Sequence, residues 1–154
     1  MNGESSKGVT APGIEAMRIL RPTIDTKFHI DTDWWKERGR NLRFGVYDRL
    51  CPACKVLHSS YEDVGDVDWV DDQTAEVRRV DALWHCLRTC CSTKPDYVTE
   101  ETPLMEAIFR VFLANGNTPL TPRELHQILN RRTPEVILRM LTGSRVYNGI
   151  KPIP

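Results

Sequence analysis

No stretch of this 154-residue chain approaches the ~18 consecutive apolar residues of a transmembrane helix, so the sequence predicts no membrane span. Met1 to Pro12 has no apolar core of the kind a secretory signal carries. Its Gly, Ser and Thr content reads as a disordered lead-in, with residues 1–22 as the expected extent. Net charge is also missing: 21 basic side chains balance 21 acidic ones, which argues against a strongly basic nucleic-acid binder. There is no Ser/His/Asp signature, no phosphate-cradling glycine loop and no zinc-protease motif, so the expectation is a protein that is not an enzyme. Apolar residues make up 40%, enough for a core but not a generous one.

The zero sum hides an asymmetry. Residues 1–58 hold 10 basic and 7 acidic side chains, residues 59–102 hold 4 and 11, and residues 103–154 hold 7 and 3. An acidic middle thus separates two mildly basic ends, and such asymmetry says more about partners than the total does. Most of the acid lies in Glu62, Asp63, Asp66, Asp68, Asp71 and Asp72, which reads as a solvated surface loop over residues 59–74. Its spacing lacks the alternating oxygen ligands and distant Glu of a calcium loop.

Upstream of that loop, Lys27 to Asp31 reads as extended, and a helix is expected from about Asp33 to Leu50 with Asp33 as its cap. Gly39 and Gly45 weaken it, and a break near either is the alternative. His29, Asp31 and Asp33 could line a site, but packed aromatics from Trp34 and Trp35 beside a helix cap are the plainer reading. Downstream, residues 75–91 read as a helix, with Val80, Leu83, Trp84, Leu87 and Cys91 on one apolar stripe.

The five cysteines are Cys51, Cys54, Cys86, Cys90 and Cys91. Without a secretory signal they belong in a reducing cytoplasmic compartment, where thiolates bind metal more readily than they form disulfides. Cys51-Pro52-Ala53-Cys54 is a C-x-x-C, whose tight turn presents two thiolates to one ion. Helical rotation of about 100° per residue sets Cys86 and Cys90 side by side, puts Cys91 on the apolar stripe and turns His85 to solvent. The expected ligands are Cys51, Cys54, Cys86 and Cys90 around a structural Zn2+, with Cys91 a buried thiol and His58 a possible substitute ligand. A redox C-x-x-C requires a thioredoxin-like βαβ setting, which is missing. An iron–sulfur cluster would accept the same four thiolates, although the typical ferredoxin spacings are absent.

Residues 102–154 carry the clearest local grammar. Thr102-Pro103 opens a helix that stops at Asn115-Gly116, Thr121-Pro122-Arg123-Glu124 opens a second with a capping box, and Thr133-Pro134-Glu135 opens a third that stops at Gly143. Asn148-Gly149 then sits between Arg145-Val146-Tyr147 and Ile150-Lys151-Pro152, a hairpin signal. Three helices followed by a hairpin resemble the winged-helix fold. The resemblance rests on element order and turn signals and covers about residues 102–154. It implies a third helix that meets DNA or a protein partner. The candidate phosphate contacts are Arg131, Arg132, Arg139, Arg145 and Lys151, of which only Arg139 lies on an otherwise apolar third helix.

The sequence therefore predicts a mainly α protein. A zinc-stapled helical half over residues 23–98 precedes a small winged-helix-like α+β module over residues 99–154. The expected role is nucleic-acid binding associated with transcription. The alternative is a protein-interaction adaptor, or a subunit of a larger complex, that docks through the module.

Overall fold

A computed structural model of the chain describes residues 21–58, 66–70 and 73–154. The lead-in expected over residues 1–22 thus lies almost wholly outside the described residues, as do Glu62, Asp63, Asp71 and Asp72 of the acidic segment. In chain order the elements are β1 (Phe28–Ile30), α1 (Thr32–Glu37), α2 (Leu42–Asp48), α3 (Pro52–Leu57), β2 (Asp66–Val70), β3 (Val77–Asp81) and α4 (Ala82–Thr89). A single 3-10 turn (Cys91–Thr93), α5 (Leu104–Ala114), α6 (Pro122–Leu129), α7 (Pro134–Leu141) and β4 (Ile150–Pro152) complete it. The described protein is mainly helical.

The long helix expected over residues 33–50 is two helices. The break falls at Gly39, which adopts φ +66, a left-handed value glycine takes without steric cost. Asn41 restarts the helix by accepting the Arg43 N–H at 2.9 Å. Gly45 stays inside α2, where an added Cβ would stand 3.2 Å from the Trp35 ring. The cap of α1 is Asp31 rather than Asp33: the Asp31 carboxylate accepts the Asp33 N–H at 3.0 Å.

The acidic segment is not simply a loop. Asp66 to Val70 is a strand that pairs antiparallel with Val77–Asp81, with Asp68 opposite Arg79 and Val70 opposite Val77. The alternation Asp66-Val67-Asp68-Trp69 has the period of a strand, which the run of carboxylates obscures. The helix expected from residue 75 accordingly starts only at Ala82. Asp81 caps it, accepting the N–H groups of Leu83 at 2.9 Å and Trp84 at 3.1 Å, and pairs with Arg43 of α2.

The C-terminal helices form where their caps and stops indicate. Thr121 and Glu124 close the capping box at both ends, Pro122 and Pro134 occupy first-turn positions, and Asn130 ends α6 in a left-handed conformation. The hairpin across Asn148-Gly149 does not form. Residues 145–147 are not a strand, and β4 pairs instead with β1, placing Phe28 opposite Pro152 and Ile30 opposite Ile150. On its other side Phe28 bridges Leu120 through hydrogen bonds of 2.8 and 3.0 Å. The Asn117 side-chain amide extends that edge by exchanging hydrogen bonds of 2.7 and 2.9 Å with Ile30. The reason is burial: Phe28, Ile30 and Ile150 are all but fully enclosed, whereas Val146 is exposed. Gly149 (φ +84) fits against Asp31 and Trp35, and the Trp35 indole donates to the Asn148 carbonyl at 2.9 Å.

One apolar cluster runs from Phe28 through Leu83, Leu87, Phe109, Phe112 and Leu125 to Ile150, so residues on both sides of the boundary expected at 98/99 share a core. Ile128 of α6 and Met140 of α7 lie outside it, exposed.

Candidate metal centre

Cys51 is the residue from which α3 starts. Its extended backbone, followed by Pro52 in the first turn, sets Cys51 and Cys54 one helical turn apart, and Cys54 faces inward at 2% exposure. On the facing element, α4 is anchored by buried Leu83 and Leu87, which directs Cys86 towards α3. The helix ends at Thr89. Cys90 leaves helical geometry (φ −121, ψ −64), and the 3-10 turn that follows swings Cys91 inward to 2% exposure. A constant rotation of about 100° per residue therefore stops applying after Thr89.

All five sulfurs converge. Cys51, Cys54 and Cys90 form one group and Cys54, Cys86 and Cys91 a second, with the ligand atoms in each group within 4.8 Å of one another. Cys51 Sγ and Cys90 Sγ are 4.0 Å apart. Thiolates bound at Zn–S distances of about 2.3 Å in a tetrahedron stand about 3.8 Å from each other, so that spacing fits a shared ion. The Cys51 N–H donates to Cys91 Sγ at 3.1 Å, the type of bond that orients and stabilises a thiolate ligand. Cys54 and Cys86 are in disulfide contact, and Cys51, Cys90 and Cys91 are free thiols. The donor set suits a soft or borderline cation. Cys51, Cys54, Cys90 and Cys91 lie together as a possible metal site. Of the ligands expected from sequence, Cys51, Cys54 and Cys90 form one group, and Cys86 joins through Cys54. Cys91 was expected to be buried, which it is, but it also belongs to the cluster. His58 and His85 belong to neither group.

No protein-family model, curated protein or solved structure matches this chain. Its chemistry has to be read from its own residues.

The backbone N–H of Cys54, directed at the Cys51 sulfur, holds the Cys51 thiol below its ordinary range. Burial acts the other way on Cys91 and raises it to about 11. A small cleft of about 140 Å³, lined by Arg49, Cys51, Cys91, Asp96, Tyr97 and Arg110, opens beside these two thiols.

Next to that cleft lies a polar network with no local sequence signature. Glu106 of α5 accepts from Arg49 at 2.7 and 2.9 Å, from Arg110 at 2.9 Å and from the Tyr147 hydroxyl at 2.9 Å. Burial pushes the Glu106 carboxyl up, but the hydrogen bonds from Arg49 and Arg110 outweigh it and hold the group below the usual carboxylate range. The network ties α2, α5 and the segment before β4 together.

The candidate phosphate contacts are divided by the fold. Arg131 donates to the Thr102 carbonyl at 2.7 Å and is half-buried, and Lys151 lies 3.5 Å from the Asp31 carboxylate. Arg132, Arg139 and Arg145 are exposed and make no ion pair among the described residues. A larger open cleft of about 440 Å³ lies on another face of α4, lined by Asp81, Trp84, His85, Arg88, Ala114 and Gly116. His85 is therefore half-buried against that cleft rather than fully turned to solvent.

Proposed function

We propose that this chain is a non-catalytic binding protein whose α3–α4 region is stapled by one structural zinc ion. The observation that carries the reading is that Cys51, Cys54, Cys90 and Cys91, from segments almost forty residues apart, lie close together in two groups that share Cys54. Four thiolates close the coordination shell, which leaves no position for a reacting water and assigns the ion a structural role. The raised Cys91 thiol must lose its proton on binding, so uptake releases protons and weakens as pH falls. Elemental analysis of protein purified under reducing conditions tests this. One zinc per chain is expected, and a metal-free chain that stays folded ends the reading.

The partner surface we assign to α6–α7. In this reading α5, α6 and α7, together with the Leu120 bridge and β4, make a winged-helix-like module whose wing is replaced by β1. The supporting observation is that Arg132, Arg139 and Arg145 stand exposed around α7, which favours the phosphate backbone of a nucleic acid. Exposed Ile128 of α6, Met140 of α7 and Val146 favour a protein partner instead. A duplex titration at two salt concentrations separates the two. Binding that weakens with salt, and weakens uniformly across sequences in Arg139→Ala, supports nucleic acid. Its absence leaves the adaptor role.

A further inference from the structure

Five cysteines exceed by one the number that closes a zinc shell, and the geometry singles out which is in excess. Cys51 and Cys91 are joined by the hydrogen bond from the Cys51 backbone to the Cys91 sulfur, and Cys90 lies 4.0 Å from the Cys51 sulfur. Cys86 and Cys91 both belong only to the second group, with Cys54, but Cys91 also accepts from the Cys51 backbone, whereas Cys86 is in disulfide contact with Cys54. Cys54 is the one residue common to both groups. A bond between Cys54 and Cys86 therefore takes a sulfur away from either group. Cys86 is also only partly buried on α4, while Cys54 is buried.

We propose that Cys86 is a peroxide-reactive thiol rather than a ligand, and that its oxidation, resolved by Cys54, ejects the zinc held by Cys51, Cys54, Cys90 and Cys91. The inference rests on the structural-zinc reading above. The chemistry balances with hydrogen peroxide as the oxidant. The Cys86 sulfur attacks one peroxide oxygen, an S–O bond forms as the O–O bond breaks, and the departing hydroxide takes the thiol proton to leave as water. The Cys54 thiolate then leaves the ion and attacks the sulfenic sulfur. An S–S bond forms, the S–O bond breaks, and the released hydroxide takes a proton from solvent to become the second water. Two electrons pass from the two sulfurs to peroxide. The remaining three ligands cannot close the shell, and Zn2+ departs as their thiolates are protonated.

The test uses the full chain, reduced and loaded with zinc. Peroxide is added in the presence of a zinc-binding dye, and the disulfide is then mapped by peptide mass spectrometry. Stoichiometric zinc release with a Cys54–Cys86 linkage is expected, with rebinding after reduction. Cys86→Ser is expected to bind zinc as the wild type does and to release it under peroxide at a rate lower by roughly tenfold or more. Cys91→Ser is expected to lose zinc. A Cys86→Ser protein that cannot hold zinc, beside a Cys91→Ser protein that can, makes Cys86 a ligand and overturns the inference while leaving the zinc reading intact. So does wild-type protein that keeps its zinc under peroxide or forms a different linkage. Reduced wild-type protein that never takes up zinc removes the underlying reading instead.

Discussion

Helix α5 buries Leu104, Ala107, Ile108, Phe109, Phe112 and Leu113, whereas α3 buries only Cys54 and leaves Val56 and Leu57 at 83% and 74% exposure. The first helix has eleven residues and a full apolar face; the second has six, too few to hold helical geometry in water unaided. The α5–α7 trio is held by apolar burial and by caps written into each helix start. The α3–α4 pair brings cysteine sulfurs together, with α4 also anchored in the core by Leu83 and Leu87. The lesson is that apolar burial accounts for α5, whereas α3 buries little beyond a cysteine, so the metal proposed for its thiols is where a second source of stability would enter.

The largest expected effect breaks the sulfur side alone. A structural zinc contributes on the order of 10–16 kcal/mol of apparent binding free energy, so chelation of the zinc-loaded chain should lower its melting temperature and expose residues 51–58 and 82–93 to amide exchange. Amides of α5 should stay protected. If both regions lose protection together, the two are not energetically separate.

Phe109→Ala attacks the other side. The ring is fully buried, lies 6.1 Å from Trp35 in a stacked arrangement and sits under the Arg49 guanidinium. The substitution should cost about 3–5 kcal/mol in urea denaturation, with zinc content unchanged. A loss of zinc alongside the loss of stability would show that the core positions the sulfurs.

Glu106→Ala should cost about 3 kcal/mol, because it leaves Arg49, itself largely enclosed, without its carboxylate. The wild-type network carries a pH signature. The Glu106 carboxyl titrates below its unfolded value of about 4.3, so its contribution is fully present above that pH and is lost as pH falls through the lowered folded value. Acid unfolding followed by tryptophan fluorescence should be less steep in the variant as pH falls below the unfolded carboxyl value.

The smallest expected effect sharpens the comparison at one cap. Thr121→Ala removes the acceptor for the Glu124 N–H at 3.0 Å and should cost about 1 kcal/mol, read as a lower urea midpoint with no change in zinc content.

Much of the C-terminal half was legible because its signals are local. Thr121, Pro122, Glu124, Thr133 and Pro134 each act within one helical turn, and a turn is too short for the rest of the chain to override. The hairpin expected at Asn148-Gly149 was misread for the opposite reason. A turn signal says where the chain reverses, but the partner of β4 was settled by burying Phe28 and Ile30, more than a hundred residues upstream. The acidic run concealed β2, since charge density masked a period of two.

The candidate site divides the same way. The C-x-x-C of Cys51 and Cys54 and the downstream cysteines could be listed from the sequence, and their convergence could be expected from metal chemistry. Which sulfurs meet depended on where α4 ends, because leaving helical geometry at Cys90 turns Cys91 into the cluster. The Glu106 network, which joins side chains from three separate segments, left no mark in any local window.

By itself the sequence determined where α5, α6 and α7 begin and end, that the protein is mainly helical, and that its cysteines suit a metal. Those outcomes depend on caps, periodicity and thiol chemistry, which act over one or two turns or on composition alone. Only the tertiary structure decided the partner of β4, the split at Gly39, the enclosure of Glu106 and the meeting of five sulfurs. Each of those depends on which distant surfaces are buried together, and burial is a property of the packed chain rather than of any segment of it.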